Sequence, residues 1–326
     1  MLKDEILALL KSASAPLSGQ AMSEALGVSR AAVWKAVEAL RGAGYAVASA
    51  PGRGYALEHA PDVLSPGELA GDRAVVGRAL VCLDSVDSTN EELRRRAAAA
   101  PDGLCVVSTR QTSGRGRRGR PFQSLPGGLY LSVLLRPRDL PLDTVTQLTA
   151  WTAVAVCRAI EAVTGLAPGV KWTNDIILDA RKVCGIGTEL SLEAESGFLD
   201  YVVVGIGVNV GQTEDEFGPE LSRTAVSLGQ LLEKPPRRAA LASALLDELD
   251  ELYAGFPAKK AEYLAAYRSR CVTVGHEVRL IRPGKEEVAT AEAVDDDFAL
   301  VVRHGDGRVE TVNAGEVSVR GLLGYV

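Results

Sequence analysis

The chain has 326 residues, of which 47% are hydrophobic and 24% are charged, and it carries a formal net charge of −6. This length and composition are typical of a globular protein with two or three domains. The acidic balance argues against a general nucleic-acid coat protein, and no apolar run reaches the roughly 18 residues of a membrane span. Because the first residues also lack the apolar core of a signal peptide, we expect a cytoplasmic protein without a membrane partner.

Five cysteines are spread over the chain, at Cys82, Cys105, Cys157, Cys184 and Cys271. Their number is odd and no two have the CxxC spacing of a metal or redox site. The sequence therefore predicts neither a zinc site nor a disulfide framework, and we assign no residue as a metal ligand. We expect most of the thiols to be buried and reduced.

Residues 1–60 predict three short helices followed by a β-hairpin. The first helix has apolar side chains at helical spacing, Ser18 precedes the second helix, and Ser29 is placed to cap the third. Two strands, at 45–49 and 54–57, then follow and are joined by a tight turn. This order of helix, turn, helix and β-wing predicts a winged helix-turn-helix domain.

Four residues of this domain are candidates for DNA binding. Ser29, Arg30 and Lys35 belong to the third helix and Arg53 to the wing, where polar and cationic groups can reach base edges and phosphates. Residues 1–58 contain six basic and five acidic side chains, which is a weak positive balance for a DNA-binding domain. The alternative is a helical module that docks a partner or regulates the rest of the chain.

After a linker at 61–66, residues 67–270 predict a domain in which strands and helices alternate. Short polar hairpin turns at 179–181 and 195–197 favour an antiparallel or mixed sheet over a doubly wound parallel one. Residues 272–326 contain short strands separated by tight turns, which predicts a small β-barrel of SH3 type. The predicted fold class is therefore α+β with three domains.

A segment rich in glycine and arginine gives the strongest local signal. It reads GRGRRGR at 114–120 and lies between predicted strands at 104–109 and 129–135. Glycines let backbone N–H groups approach a ligand closely, and guanidinium groups bind phosphate or carboxylate with two hydrogen bonds. The segment predicts a loop that binds an anionic small molecule, while a flexible basic surface loop is the alternative for this segment alone.

Further polar motifs accompany this loop. They are DSTN at 87–90 before a helix, Gln111 before the arginines, KWTND at 171–175, RKVCGI at 181–186 and GIGVN at 205–209. In this order and spacing the motifs resemble those of the biotin–protein ligases, in particular the bacterial type that joins the ligase to a repressor of the biotin operon. The resemblance extends to SRAAVWK at 29–35 and PGRGY at 51–55, and so covers almost the whole chain.

The resemblance implies a reaction in two steps. The biotin carboxylate attacks the α-phosphate of ATP to give biotinyl-5′-AMP and pyrophosphate, and a lysine of the biotin carboxyl carrier protein of acetyl-CoA carboxylase then attacks the mixed anhydride. It also implies Mg²⁺ with the ATP, a catalytic domain like that of the class II synthetases, and repression at operator DNA of biotin synthesis genes. A homodimer promoted by the ligand is expected as well.

Residue roles follow from the motif positions. Lys182 and Arg117 are the catalytic candidates, since cations must offset the charges of the carboxylate and the phosphate. The candidates for biotin binding are Ser88, Thr89, Asn90, Gln111, Arg115, Gly116, Arg117, Lys182 and Gly185. The candidates for ATP binding are Arg117, Arg120, Asn174, Lys182, Asn209 and Arg320. Asp175 is expected to orient Lys171 or the acceptor lysine, or else to cap the end of a strand.

Departures from the family pattern leave some contacts open. Thr173 stands where the family usually has a proline, Phe122 where it has a tryptophan, and no aromatic clamp for adenine is identifiable at 212–224. The alternative functions are a ligase whose winged helix does not bind DNA, and a biotin-sensing regulator without ligase activity. Lys182 and the arginine loop argue against the second of these. That loop and the KWxND pattern also argue against a lipoate ligase, which shares the fold.

Overall fold

The computed structural model describes residues 2–50, 54–116, 122–138, 140–193, 198–282, 284–313 and 318–321. The chain divides into two compact units, of which one comprises Met1–Asp72 with Arg237–Ser243 and the other Arg73–Pro236 with Ala244–Val326. In the described ranges, no helix is long and apolar enough to cross a membrane.

The first unit contains the helices and hairpin that the sequence predicts. They are α1 (Leu2–Ser12), α2 (Gly19–Leu26), α3 (Arg30–Gly42), β1 (Ala46–Ala50) and β2 (Gly54–His59). Ser18 caps α2 by accepting the N–H of Ala21, and Ser29 caps α3 by accepting the N–H of Ala32. Both strands pair antiparallel, so the winged helix-turn-helix arrangement is confirmed.

Apolar residues from all three helices and from the hairpin share one core. Ile6, Met22, Val37 and Leu40 are buried in it, and together they bring α1, α2 and α3 into contact. The wing joins this core at Gly54, whose φ is 87° and where a Cβ would lie 2.3 Å from the carbonyl oxygen of Leu17. Only glycine allows that close approach.

The second unit is built on a seven-stranded sheet with the order β3-β4-β5-β9-β8-β7-β6. Its strands are β3 (Leu80–Leu83), β4 (Cys105–Ser108), β5 (Leu129–Leu135), β6 (Gly169–Lys171), β7 (Asp175–Leu178), β8 (Arg181–Leu192) and β9 (Leu199–Val208). β3 and β4 are parallel and the other neighbours are antiparallel. The sheet is therefore mixed, as the hairpin turns predict.

Helices complete this unit, together with a short 3-10 turn at Ala97–Ala99, and the helix that begins at Arg238 starts in the segment that belongs to the first unit. They are α4 (Thr89–Arg96), α5 (Leu142–Thr146), α6 (Leu148–Thr164), α7 (Glu214–Leu221), α8 (Leu228–Leu231), α9 (Arg238–Gly255) and α10 (Lys260–Arg270). The sequence predicts one helix over 142–163, whereas the structure divides it at Gln147 into α5 and α6. α6 is almost wholly buried, and its Trp151 stacks on Tyr263 of α10 with 4.0 Å between the ring centroids.

The C-terminal part forms a five-stranded antiparallel sheet with the order β13-β12-β11-β10-β14. Its strands are β10 (Glu277–Arg282), β11 (Lys285–Val294), β12 (Leu300–His304), β13 (Val309–Val312) and β14 (Ser318–Gly321). Among the described residues of this sheet, no pairing joins β13 to β14, so the structure establishes a β-sheet domain and not a closed barrel. Trp172, beside β6, anchors it by donating to Thr273 Oγ1 (2.8 Å) and, from its indole, to the carbonyl of Phe298 (2.9 Å).

Candidate active site

The N-terminus of α4 and the segment after β4 meet through polar side chains. Ser88 caps α4, with its Oγ 3.5 Å from the N–H of Glu91. Thr89 donates to Gln111 Oε1 from both its backbone N–H (2.8 Å) and its hydroxyl (3.0 Å). Gln111 in turn donates from Nε2 to Ser124 Oγ at 2.8 Å. The structure thus brings together three of the predicted biotin-binding residues.

Ser132 of β5 connects this group to Asn90. Its buried hydroxyl lies 2.7 Å from Thr89 Oγ1 and 2.6 Å from Asn90 Oδ1, and Asn90 Nδ2 donates to Glu189 Oε1 at 2.7 Å. Sequence reasoning assigned neither Ser132 nor Glu189 to the site. For Ser132 a signal was available, because it is the one polar residue within the apolar run LYLSVLL of β5.

Four glycines give the sheet a surface without side chains next to these groups. Gly185 pairs with Gly207 and Gly187 pairs with Gly205 across β8 and β9. Paired residues of antiparallel strands and alternate residues of one strand point to the same face, so all four share one face. We call this surface the glycine floor.

Side chains border the glycine floor at its edges. A Cβ at Gly205 would lie 2.3 Å from Asn90 Oδ1, and a Cβ at Gly207 would lie 2.5 Å from the ring of Phe122. At Gly187, by contrast, a Cβ would meet no heavy atom within 4 Å in the part of the chain that the structure describes. The floor is therefore open above Gly187 and can accept a flat ring there.

A β-bulge directs Lys182 to the same face. Ile176 pairs with Cys184 and Ile177 pairs with Lys182, so Val183 is an extra residue on β8. Without the bulge, Lys182 and Gly185 would point to opposite faces. With it, the Lys182 Nζ comes within 2.9 Å of where a Cβ at Gly185 would be, so the ammonium lies directly over the glycine floor.

The side chain and the backbone of Lys182 are both held in place. Its Nζ lies 2.5 Å from Asp175 Oδ1 and 5.8 Å from the ring centroid of Phe122. Its backbone N–H donates to the carbonyl of Thr224, and its carbonyl accepts the N–H of Val226. For Asp175 the sequence suggested a role towards Lys171 or the acceptor lysine, or a strand cap. The structure places its carboxylate beside Lys182, and its backbone pairs with Lys171 across β6 and β7.

Two predicted ATP-binding residues brace the strands around Lys182. Asn209 Nδ2 donates to the carbonyl oxygens of Lys182 (3.3 Å) and Val226 (3.2 Å). Asn174 Nδ2 donates to the carbonyl of Ile186 at 2.7 Å, which joins β7 to β8. These amides therefore fix the backbone that carries Lys182, whether or not they also contact the nucleotide.

The remaining candidates of this unit are only partly described. Arg115 is exposed, and its Nη1 lies 3.6 Å from Glu91 Oε1, while Gly116 ends the described segment. Arg117 and Arg120 lie outside the described residues. Arg320 belongs to β14, where its backbone pairs with Arg279, but its side chain is outside the description.

The buried cysteine beside this site does not provide a nucleophile. Cys184 lies in β8 between Val183 and Gly185, and burial raises the pKa of its thiol well above the ordinary value. A thiol that stays protonated is a poor nucleophile. Among the described residues, Lys182, Asp175 and the polar groups near α4 are the polar and charged groups brought together beside the glycine floor.

The DNA-binding candidates lie in the first unit. Ser29 Oγ accepts the N–H of Ala32 at 3.2 Å, so its side chain fixes the start of α3. Arg30 and Lys35 are exposed on that helix, and Arg53 lies outside the described residues.

The family models and the known proteins that match this chain agree with each other. Residues 82–209 match the Biotin/lipoate A/B protein ligase family, residues 3–56 an HTH domain, and residues 273–320 the Biotin protein ligase C terminal domain. The chain is 35% identical over 310 residues to the Bifunctional ligase/repressor BirA of Bacillus spizizenii, covering 94% of each chain. It is also 35% identical over 296 residues to the protein of the same name from Bacillus subtilis, covering 89% of this chain and 90% of that one. A solved biotin protein ligase from Aquifex aeolicus, in complex with biotin and ATP, has 30% identity and a TM-score of 0.66, covering 75% of this chain and 99% of the other.

Proposed function

The chain belongs to the biotin–protein ligase family, and from this membership we propose that it is a bifunctional ligase and repressor. As a ligase it activates biotin with ATP to biotinyl-5′-AMP and transfers the biotin to a lysine of the biotin carboxyl carrier protein of acetyl-CoA carboxylase. As a repressor it binds operator DNA of biotin synthesis genes through the winged helix. One observation supports the ligase activity most: the bulge at Val183 directs the Lys182 ammonium onto the glycine floor.

The polar groups at the start of α4 suit the ureido head of biotin. A buried ureido group needs its N–H donors and its carbonyl acceptor to be paired. Thr89, Asn90 and Gln111 offer hydroxyl and amide groups of both kinds within one network connected through Ser132, and Ser88 lies next to it at the cap of α4. The backbone at Arg115 and Gly116 is proposed to complete this contact, and the fused rings then lie on the glycine floor.

Lys182 serves the reaction by offsetting negative charge. The biotin carboxylate must approach the α-phosphate of ATP, and two anions repel each other unless cations lie between them. The ammonium of Lys182 is held by Asp175 in the structure. Substrate anions replace that carboxylate as partners, and Arg117 and Arg120 add further positive charge.

The nucleotide is proposed to bind beside β8, near Asn174, which precedes β7, and Asn209, which follows β9. Arg320 of the C-terminal sheet is proposed to reach the same region. The aromatic Phe217 is buried in α7, within the segment for which the sequence shows no adenine clamp. Because the ring of Phe217 is buried in the protein, we assign it no contact with adenine.

Mg²⁺ is proposed to bind together with ATP. The described residues contain no group of three His, Cys, Asp or Glu side chains that could hold a metal ion. Mg²⁺ usually binds through substrate phosphates, water and only one or two protein oxygens. The carboxylate of Asp175 and the side-chain oxygen of Asn209 are hard donors of this kind, and we propose that they supply the protein ligands. The bound ion would offset the charge of the departing pyrophosphate.

The domain bounds follow from these assignments. We propose a DNA-binding domain at 1–60, a catalytic domain like those of class II synthetases at 67–270, and an SH3-like domain at 272–326. The antiparallel order β13-β12-β11-β10-β14 supports the last of these. We also propose that the adenylate promotes a homodimer. If the second copy and the carrier protein use the same edge of the central sheet, they compete for it.

The ligase activity is tested by incubating the protein with biotin, Mg-ATP and apo carrier protein, followed by a streptavidin blot. In the Lys182→Ala variant, biotin binding should persist while pyrophosphate release slows by a factor of ~10²–10³. Lys260→Ala, which removes a lysine paired with Asp297 at 2.6 Å on α10, is the control and should release pyrophosphate at the normal rate. An unimpaired rate in Lys182→Ala would refute the role of Lys182.

The repressor activity needs a separate measurement. Duplexes selected from a random-sequence library by the full-length protein should shift in a gel only when biotin and ATP are both present. Sedimentation under the same conditions should show a dimer, because a ligand that favours the dimer must bind it more tightly than the monomer. If no duplex is selected, the protein is a ligase whose winged helix does not bind DNA.

A further inference from the structure

Trp34 has an environment unlike that of the other tryptophans. It lies on α3 with 54% of its surface exposed, whereas Trp151 and Trp172 are 0% and 4% exposed. It shares the exposed side of the helix with Arg30, Ala31 and Lys35. A large aromatic ring between two cations differs from the fully polar surface that a solvated helix normally presents.

The remaining side chains of α3 leave this face available. Val33, Val37 and Leu40 are buried on the opposite side, which fixes the rotation of the helix. The acidic Glu38 lies on the exposed side, and Arg41 binds it at 2.7 Å. The charge of Glu38 is therefore offset within the helix, and Arg30, Trp34 and Lys35 dominate the surface.

The chemistry of base edges indicates what Trp34 can contact. In helix-turn-helix proteins the N-terminal part of the recognition helix enters the major groove, and Trp34 is in the second turn of α3. An indole ring has one N–H donor and no acceptor, so most of its surface makes apolar contacts. Thymine, with its 5-methyl group, presents an apolar group in that groove.

Building on the repressor activity proposed above, we propose that Trp34 packs against the 5-methyl group of a thymine and so selects the operator sequence. Residues 1–58 carry only one more basic than acidic side chain, so attraction to phosphates is weak. Sequence discrimination then depends more on contacts to base edges. Arg30 and Lys35 bind phosphate or guanine beside the tryptophan.

The test uses duplexes that the full-length protein selects from a random library in the presence of biotin and ATP. Each thymine of the selected site is replaced in turn by uracil, which removes only the methyl group. At one position per half-site, wild-type affinity should fall about four-fold, because burying one methyl-sized group is worth that factor. In Trp34→Ala the same replacement should have no effect, as expected when two partners of one contact are removed together.

Trp34→Phe is the matched variant, because it keeps an aromatic ring and should keep part of the sensitivity to uracil. Tryptophan fluorescence gives an independent signal: Trp34 is the exposed tryptophan, so its emission should be quenched by the wild-type site and less by the uracil-containing site. Circular dichroism confirms that the variants fold.

Equal losses for uracil in wild type and Trp34→Ala would overturn the role of Trp34 while leaving DNA binding intact. If the wild-type protein selects no duplex at all, the repressor activity and the role of Trp34 fail together.

Discussion

Replacing Ser132 by alanine tests whether the network beneath α4 prepares the biotin site. The substitution removes one fully buried hydroxyl and adds no atom, so the sheet around β5 keeps its shape. That hydroxyl lies within hydrogen-bond distance of two acceptors, Thr89 Oγ1 and Asn90 Oδ1. Thr89 uses its own proton towards Gln111, so the contacts to Thr89 Oγ1 and Asn90 Oδ1 share the single hydroxyl proton of Ser132.

The size of the effect follows from what the variant leaves unpaired. Removing one partner so that a buried acceptor loses its hydrogen bond costs about 1–3 kcal/mol. We expect the free energy of unfolding to fall by about 1–2 kcal/mol. Asn90 and Thr89 also lose the contact that fixes their orientation, and a loss of about 1.4 kcal/mol in the bound state corresponds to a tenfold weaker affinity. The KM for biotin should therefore rise about tenfold, while the KM for ATP stays constant.

Thr152→Val is the matched control for this measurement. Thr152 is also buried, and its hydroxyl donates to the carbonyl of Leu148 at 2.7 Å within α6, away from the polar network. Pyrophosphate release is measured against biotin concentration for both variants, and their stability is measured by urea unfolding. If the KM for biotin rises no more in Ser132→Ala than in Thr152→Val, the network has only a structural role and the reasoning is wrong.

Two further predictions concern the glycine floor and the buried thiols. Gly187→Ala places a methyl group in space that is open among the described residues, so the free energy of unfolding should hold while the KM for biotin rises at least tenfold. Gly305→Ala, also in open space, is the control and should change neither quantity. An unchanged KM in Gly187→Ala would contradict the proposal that biotin lies on the glycine floor. Burial raises the pKa of Cys105 and of Cys157 from 9.0 to about 12, so the folded protein keeps both thiols protonated where the unfolded chain ionises. Their contribution to stability is complete below pH 9.0 and is lost as the pH rises towards about 12. The free energy of unfolding, measured in urea from pH 8 to 11, should therefore decline less steeply in Cys157→Ala than in the wild type. An equal decline in the two proteins would contradict this account.

Local signals were the most reliable part of the sequence. Ser29 caps α3 as predicted, and Ser18, predicted to precede α2, caps it, because a cap depends on a side chain and a backbone N–H three residues apart. The hairpin turns likewise predicted a mixed sheet, since a short turn forces its two strands to be antiparallel. Cap and turn both depend on neighbours in sequence, so no knowledge of the tertiary fold was needed.

The parts of the site that the sequence did not predict depend on distant residues. The role of Ser132 appears only when β5 lies beside β9, which brings it next to Asn90, 42 residues earlier in the chain. Likewise, the position of β9 between β5 and β8 aligns the glycines of two strands into one floor. Motif positions identified Gly185, but only the strand register shows why it has no side chain.

The bulge at Val183 links Lys182 to a segment far away in sequence. The backbone groups of a strand residue normally form hydrogen bonds to the neighbouring strands. The N–H of Lys182 instead donates to the carbonyl of Thr224, and its carbonyl accepts the N–H of Val226. Asn209 then joins the carbonyls of Lys182 and Val226 through one amide group. Because these bonds connect Lys182 to the residues that follow α7, a movement of that segment must move the backbone of Lys182 or break its hydrogen bonds. The segment at 212–224 is therefore mechanically coupled to the lysine for which we propose a role in forming the adenylate.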